Sequence, residues 1–257
     1  VKTIASRDNP FFKRLRILAR DAGTSRDDGL VLIEGVHLCD AFLTSGGRPR
    51  ETVVGGSALA HAEVAALLER VEGSQIFVFD DALFASISQL MTAIPLLMVI
   101  ERPQLAPPAR LDRSAVLLDR VQDPGNVGSI LRSAAAAGIG DVWLSEQCAS
   151  AWSPKVVRAA MGAHFHLRVF EGIDLVGLRR AATLPWITTS PHAAQSLFDA
   201  DLRGDVAWVF GHEGQGLAPA LMEGATTVRI PQPGTIESLN VAASAAICFF
   251  EQVRQRG

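Results

Sequence analysis

Leu117-Leu118-Asp119-Arg120-Val121-Gln122-Asp123-Pro124-Gly125-Asn126-Val127-Gly128-Ser129-Ile130-Leu131-Arg132 is the stretch from which the fold class follows. Its apolar start, extended back to Ala115, reads as a strand buried on both faces through Val121. Proline, glycine and polar residues then break the run, and a helix is predicted through Ala137. The same unit recurs downstream. Strands are predicted at Val142–Ser145, Leu167–Phe170, Trp186–Thr189, Val206–Phe210 and Thr227–Ile230. Ser153-Pro154 opens a helix over Lys155–Met161, and a last helix spans Asn240 to about Arg254.

The alternation also runs upstream. Asn9 and Pro10 suit the cap and first position of a helix over Asn9–Ala22, with Phe11, Leu15 and Leu18 on one face. Strands at Leu30–Glu34, Thr52–Val54, Gln75–Phe79 and Leu96–Ile100 alternate with helices at Val36–Leu43, Ala58–Arg70 and Ala82–Leu90. Strands alternating with helices imply an α/β sheet covered on both faces. Pro103, Pro107 and Pro108 interrupt the pattern with a semi-rigid extended connection. The expected organisation is a smaller α/β domain over 1–101, a linker over 102–113 and a second α/β domain over 114–257.

Composition narrows the class. At 257 residues, 48% hydrophobic and 20% charged, the chain has the balance of a globular protein with a substantial core. It lacks an 18-residue apolar run and a secretory-type start, so no membrane association is expected. Three widely spaced cysteines suit neither a disulfide framework nor a zinc cluster, and a reducing cytoplasm is the expected compartment. The histidines show no H-E-x-x-H arrangement, and no metal is expected. Net charge is −3, yet residues 1–26 carry Lys2, Arg7, Lys13, Arg14, Arg16, Arg20 and Arg26 against Asp8 and Asp21. A basic arm on an acidic body suits phosphate contacts, and equally suits a solvated helix face.

Three loops in the second half carry the chemistry, and in open α/β sheets such loops beyond the strand ends form the site. In the first, Asn126 is either a helix cap or a polar site group, and Arg132 either a surface charge or a fork for a phosphate or hydroxyl. The second is Gly211-His212-Glu213-Gly214-Gln215-Gly216, whose glycines let backbone approach a ligand. It matches neither the dinucleotide fingerprint nor a P-loop. The third is Ile230-Pro231-Gln232-Pro233-Gly234-Thr235-Ile236-Glu237-Ser238-Leu239-Asn240-Val241, where Ser238 or Asn240 can cap the last helix.

Taken in order, Asn-x-Gly-x-x-x-Arg, Gly-x-Glu-x-x-Gly and Ile-Pro-x-x-Gly-x-x-x-Ser-Leu-Asn-Val resemble the three signature motifs of the SpoU/TrmH branch of the SPOUT methyltransferases. The resemblance covers roughly 114–254. The stretch from Ser153 to Ala163 also looks like the family's helix before the middle strand, and residues 1–101 resemble its L30e-like RNA-holding domain.

The resemblance implies a C-terminal parallel sheet with a deep trefoil knot, and a homodimer with its site at the subunit interface. It implies S-adenosylmethionine as cofactor, held by Thr189, Gly211, Ile230, Ser238 and Leu239. Arg132 is implied as the catalytic arginine, with Asn126, Glu213, Ser238 and Asn240 around it. A guanidinium resists deprotonation, so Arg132 is better suited to positioning a hydroxyl and stabilising oxyanion charge than to acting as a base. Lys13, Arg14, Arg16 and Arg132 are the expected RNA contacts. The implied reaction is methylation of a ribose 2′-hydroxyl, in large-subunit (23S) rRNA before tRNA. The competing class is an RNA-binding module without turnover. Ala242 departs from the serine often found there.

Overall fold

The computed structural model describes residues 1–20, 28–90, 94–236 and 238–257. Asp21 and Ala22, expected to end the first helix, together with Arg26 and Glu237, lie outside the described residues. The chain divides into two compact units, Val1–Gln104 with Trp152–Phe165, and Leu105–Ala151 with His166–Gly257.

In the first unit, strands β1 (Lys2–Ile4), β2 (Leu30–Glu34), β3 (Glu51–Gly55), β4 (Gln75–Phe79) and β5 (Leu96–Glu101) form a mixed sheet in the order β1-β4-β3-β5-β2. β1, β4 and β3 run parallel, and β5 is antiparallel to both β3 and β2. Helices α1 (Pro10–Leu18), α2 (Val36–Thr44), α3 (Ala62–Leu68) and α4 (Asp81–Ala85) accompany it. Asn9 caps α1 by accepting from the Phe11 amide at 2.9 Å. The helix buries Phe12, Leu15 and Leu18 in a core shared with Phe77 and Phe79.

Two predicted helices are shorter than their apolar patterns. The 58–70 stretch is a 3-10 turn followed by α3, because His61 has extended backbone between them. The helix from residue 81 stops at Ala85, because the Glu34 carboxylate binds the Ser88 hydroxyl and, at 3.0 Å, the Gln89 amide. That carboxylate takes hydrogen bonds that further helix would leave unmade.

The second unit has seven parallel strands among its described residues: β6 (Ala115–Asp119), β7 (Asp141–Leu144), β8 (Arg168–Phe170), β9 (Trp186–Thr189), β10 (Gln195–Ser196), β11 (Ala207–Gly211) and β12 (Thr226–Arg229). Their order is β10-β12-β9-β11-β6-β7-β8. Chain order therefore reverses between β11 and β6, and their carboxyl ends lie side by side, with Gly211 opposite Asp119. Helices α5 (Pro124–Ala136), α7 (Leu175–Ala181), α8 (Pro219–Met222) and α9 (Val241–Arg256) belong to this unit. Leu117, Trp143, Trp186 and Val209 form its core, and α9 packs on α5 and β11. No helix among the described residues is long and apolar enough to cross a membrane. All three cysteines are free and buried.

The segment Trp152–Phe165 leaves the second half of the sequence to pack in the first unit. It holds α6 (Pro154–Ala160), capped by Ser153 and closed by Met161 in the left-handed conformation (φ 49°). α6 packs on β2, and Phe165 meets Phe42 edge to face at 5.2 Å.

The seam between α9 and β11 contains one buried polar pair. Gln252 accepts from the Trp208 indole N–H at 2.9 Å and donates to the Gly204 carbonyl at 3.1 Å. Gln252→Leu leaves the indole N–H without its acceptor, and urea denaturation is expected to show a loss of about 1–3 kcal/mol.

Candidate active site

The site is built where β9, β11 and the loop entering α9 end. A cleft of about 530 Å³ is lined by Thr189 at the end of β9 and Ser190 after it, by the 209–217 stretch except Gly214, and by Ser238, Leu239 and Asn240. That volume falls in the range of sites for small organic ligands, about 300–1,000 Å³. Leu239 and Met222 line it while still 38% and 44% exposed, so the cleft has apolar surface for a flat ring to cover. Ser190, Glu213 and Ser238 supply polar groups alongside.

Behind the cleft a directional relay joins the three loops. Asn126 donates from Nδ2 to Glu213 Oε1 at 2.9 Å, and its Oδ1 accepts from Asn240 Nδ2 at 2.8 Å. Asn240 Oδ1 then accepts from the Ala242 and Ala243 amides at 2.9 and 3.2 Å, capping α9. Asp123 caps α5 through the Asn126 amide at 2.8 Å, which leaves the Asn126 side chain free to reach across. The two sequence-level alternatives are thereby divided: Asp123 and Asn240 are the caps, while Asn126 bridges and Ser238 faces the cleft.

Partial burial works against a charge on Glu213, but the Asn126 amide and nearby backbone amides outweigh it and hold the carboxyl below its usual range. The Gln122 and Asp123 amides lie at 3.4 and 3.3 Å from its oxygens.

The loop after β11 is a tight hairpin. His212 and Gly216 bond to each other's backbone, and a Cβ at Gly211 would stand 2.5 Å from the Gly216 backbone. Only glycine fits at 211. His212 Nδ1 accepts from the Gly214 and Gln215 amides at 2.9 and 3.1 Å.

The other expected site residues lie elsewhere. Ile230 lines a neighbouring cleft with Pro191, Arg229, Pro231 and Ile236. Arg132 is exposed on α5 and makes no hydrogen bond or ion pair among the described residues. In the first unit, Lys13 pairs with Asp8 at 3.0 Å, and Arg14 binds Glu51 at 2.7 Å and lies over the Phe11 ring. Arg16 is exposed in the last turn of α1.

Sequence reasoning missed His212 and Arg120. Arg120 follows β6 in the left-handed conformation (φ 57°) and spans to the hairpin. The available signal was an Asp-Arg pair at the end of an apolar strand.

The sequence profile of the SpoU rRNA Methylase family matches residues 113–250. An uncharacterised tRNA/rRNA methyltransferase of Synechocystis is 31% identical over 264 residues, covering 100% of this chain and 95% of that relative. A 23S rRNA (uridine(2479)-2′-O)-methyltransferase of Streptomyces viridochromogenes is 31% identical, over 99% of this chain and 93% of its own. The crystal structure of the SpoU methyltransferase AviRb from Streptomyces viridochromogenes in complex with AdoMet superposes with a TM-score of 0.85 at 29% identity, covering 96% of this chain and 98% of that one.

Because the Glu213 carboxyl is held low, its contribution to stability is complete above the ordinary carboxylate value of about 4.3 and fades as pH falls through the lowered one. Glu213→Gln is expected to melt below the parent at pH 7. Thermal scans at stepped pH should show that gap closing in acid.

Proposed function

Because the chain belongs to the SpoU rRNA methylase family, with that family's trefoil-knotted parallel sheet, we propose that it is an S-adenosylmethionine-dependent methyltransferase of RNA ribose 2′-hydroxyls. The observation that carries the proposal is the single cleft where the glycine hairpin, the β9 end and Ser238–Asn240 meet, braced by Asn126 and Glu213. Large-subunit rRNA is the proposed substrate, supported by the whole-chain likeness to a 23S rRNA 2′-O-methyltransferase. The proposed working compartment is the cytoplasm, where that RNA is made and folded.

The residues present fit the cofactor. Leu239 and Met222 offer apolar surface to an adenine ring. Backbone at Gly211 can be approached closely, and Ser190 and Ser238 can meet ribose or carboxylate oxygens. When bound, the cofactor supplies an electrophilic sulfonium methyl.

The protein's own task is to present a weak nucleophile on the right line and favour its alkoxide character. Arg132 suits that task chemically, since a guanidinium fork can position the hydroxyl and stabilise developing negative charge without losing its own proton. Its place on α5, outside the lining of the cleft, supports a reading in which it serves the cleft of a second copy. A homodimer has independent support on α9, where Phe250 and Val253 are 49% and 39% exposed on the side turned away from the core. The domain boundary is proposed in the proline segment 102–113. The first unit, with Arg16 exposed on α1, is proposed to hold RNA.

Mapping 2′-O-methyl nucleotides in total RNA with and without the gene tests the activity, and an unchanged ribose pattern overturns it. Arg132→Lys keeps the charge and loses the fork. Single-turnover assays should show the methylation rate falling by about 10²-fold while cofactor affinity holds. Phe250→Asp is expected to shift the protein to a monomer in size-exclusion chromatography and to abolish turnover with it.

A further inference from the structure

Arg120 sits between two strand ends in a backbone conformation that non-glycine residues adopt only at a cost (φ 57°). Its side chain is 24% exposed, and every guanidinium nitrogen is engaged. Nε lies 3.3 and 3.2 Å from the two Asp119 oxygens, Nη2 donates to Asp119 Oδ2 and to the Gly216 carbonyl, both at 3.2 Å, and Nη1 donates to Gln215 Oε1 at 3.1 Å. Asp119 is buried, and it also accepts from the Ala218 amide at 3.0 Å. The hairpin after β11 is therefore fastened to the end of β6 at Gln215, Gly216 and Ala218.

We propose that Arg120 is a positioning residue for the cofactor: with Asp119 it fixes the 211–218 hairpin in its binding shape before S-adenosylmethionine arrives. The inference rests on the assignment of the cleft to that cofactor. A loop that is already ordered loses less conformational freedom when its ligand binds, so the clamp acts on affinity. Arg120 lies outside the lining of the cleft, so its loss is expected to leave the methyl-transfer step alone. Because four of its five N–H groups are engaged by the protein, Arg120 is also a poor candidate for a bidentate phosphate contact.

The left-handed backbone supplies a variant that removes the clamp at a smaller cost to the fold. Arg120→Gly removes the guanidinium and relieves the φ strain together. Arg120→Lys keeps strain and charge but loses the fork. Titration calorimetry with S-adenosylmethionine, melting with and without it, and steady-state kinetics read the outcome. For Arg120→Gly, Kd and KM for the cofactor are expected to rise about tenfold with kcat within about twofold, as for a lost preorganising contact. Its cofactor-free melting temperature should fall, because relief of the left-handed strain only partly offsets the buried Asp119 carboxylate left without its partner, and the increase on adding cofactor should shrink as well. Arg120→Lys should lose similar affinity and melt lower.

Gln215→Ala, which cuts one strand of the clamp from the hairpin side, should raise Kd in the same direction by about threefold, and it decides the matter if Arg120→Gly does not fold. Parental cofactor affinity in both Arg120→Gly and Gln215→Ala overturns the proposal. So does a rise in KM for RNA with KM for the cofactor unmoved, which makes Arg120 an RNA contact. A parent chain that gives no binding heat with S-adenosylmethionine instead overturns the cofactor assignment itself.

Discussion

An ionised carboxylate only accepts hydrogen bonds, and at Glu213 that rule propagates through two neutral amides to the start of α9. Asn126 must turn its NH₂ toward the carboxylate, so its oxygen faces Asn240. Asn240 must then offer its own NH₂ to Asn126, which leaves its oxygen for the open amides of the last helix. Three segments far apart in sequence are thus placed by a single polarity. The donor-only amides of Ala242 and Ala243 enforce the same direction from the other end, so the relay is fixed at both of its termini.

This relay acts on a frame that the sheet has already prepared. Parallel pairing aligns the carboxyl ends of β9, β11 and β6, so the loops leaving them share one side of the sheet. Glycine at 211 and the bonds around His212 keep the middle loop short and stiff. Hydrophobic burial of Trp186, Val209 and Leu117 supplies the rigidity beneath, while the polar groups above spend their hydrogen bonds on orientation.

Much of this was legible in the residues. Continuous apolar runs ending in Gly, Pro and polar side chains located β6, β9, β11 and β12 to within a residue or two, because burial on both faces demands such runs. The motif order pointed to the cleft and to Asn126, Glu213, Ser238 and Asn240. Other features escaped because they depend on partners distant in sequence. Asn126 looks like a cap until Asp123 is seen to do that work. The helix after Asp81 looks longer until Glu34, 55 positions from Gln89, takes its amide. β1 at Lys2–Ile4 exists only because β4 offers it an edge. Arg120 carries no periodicity at all, and its meaning lies in where its guanidinium ends.

The stretch Trp152–Phe165 has a consequence for the order of events during synthesis. The first unit draws its last helix from beyond residues 105–151, which belong to the other unit. On the ribosome, the sheet of the first unit therefore waits, with the surface of β2 and α2 uncovered, while β6, α5 and β7 emerge. A nascent chain halted at the proline linker holds an incomplete unit. An exchange of the first unit between relatives must likewise carry two pieces of sequence, because a single cut at the linker separates Phe42 from Phe165.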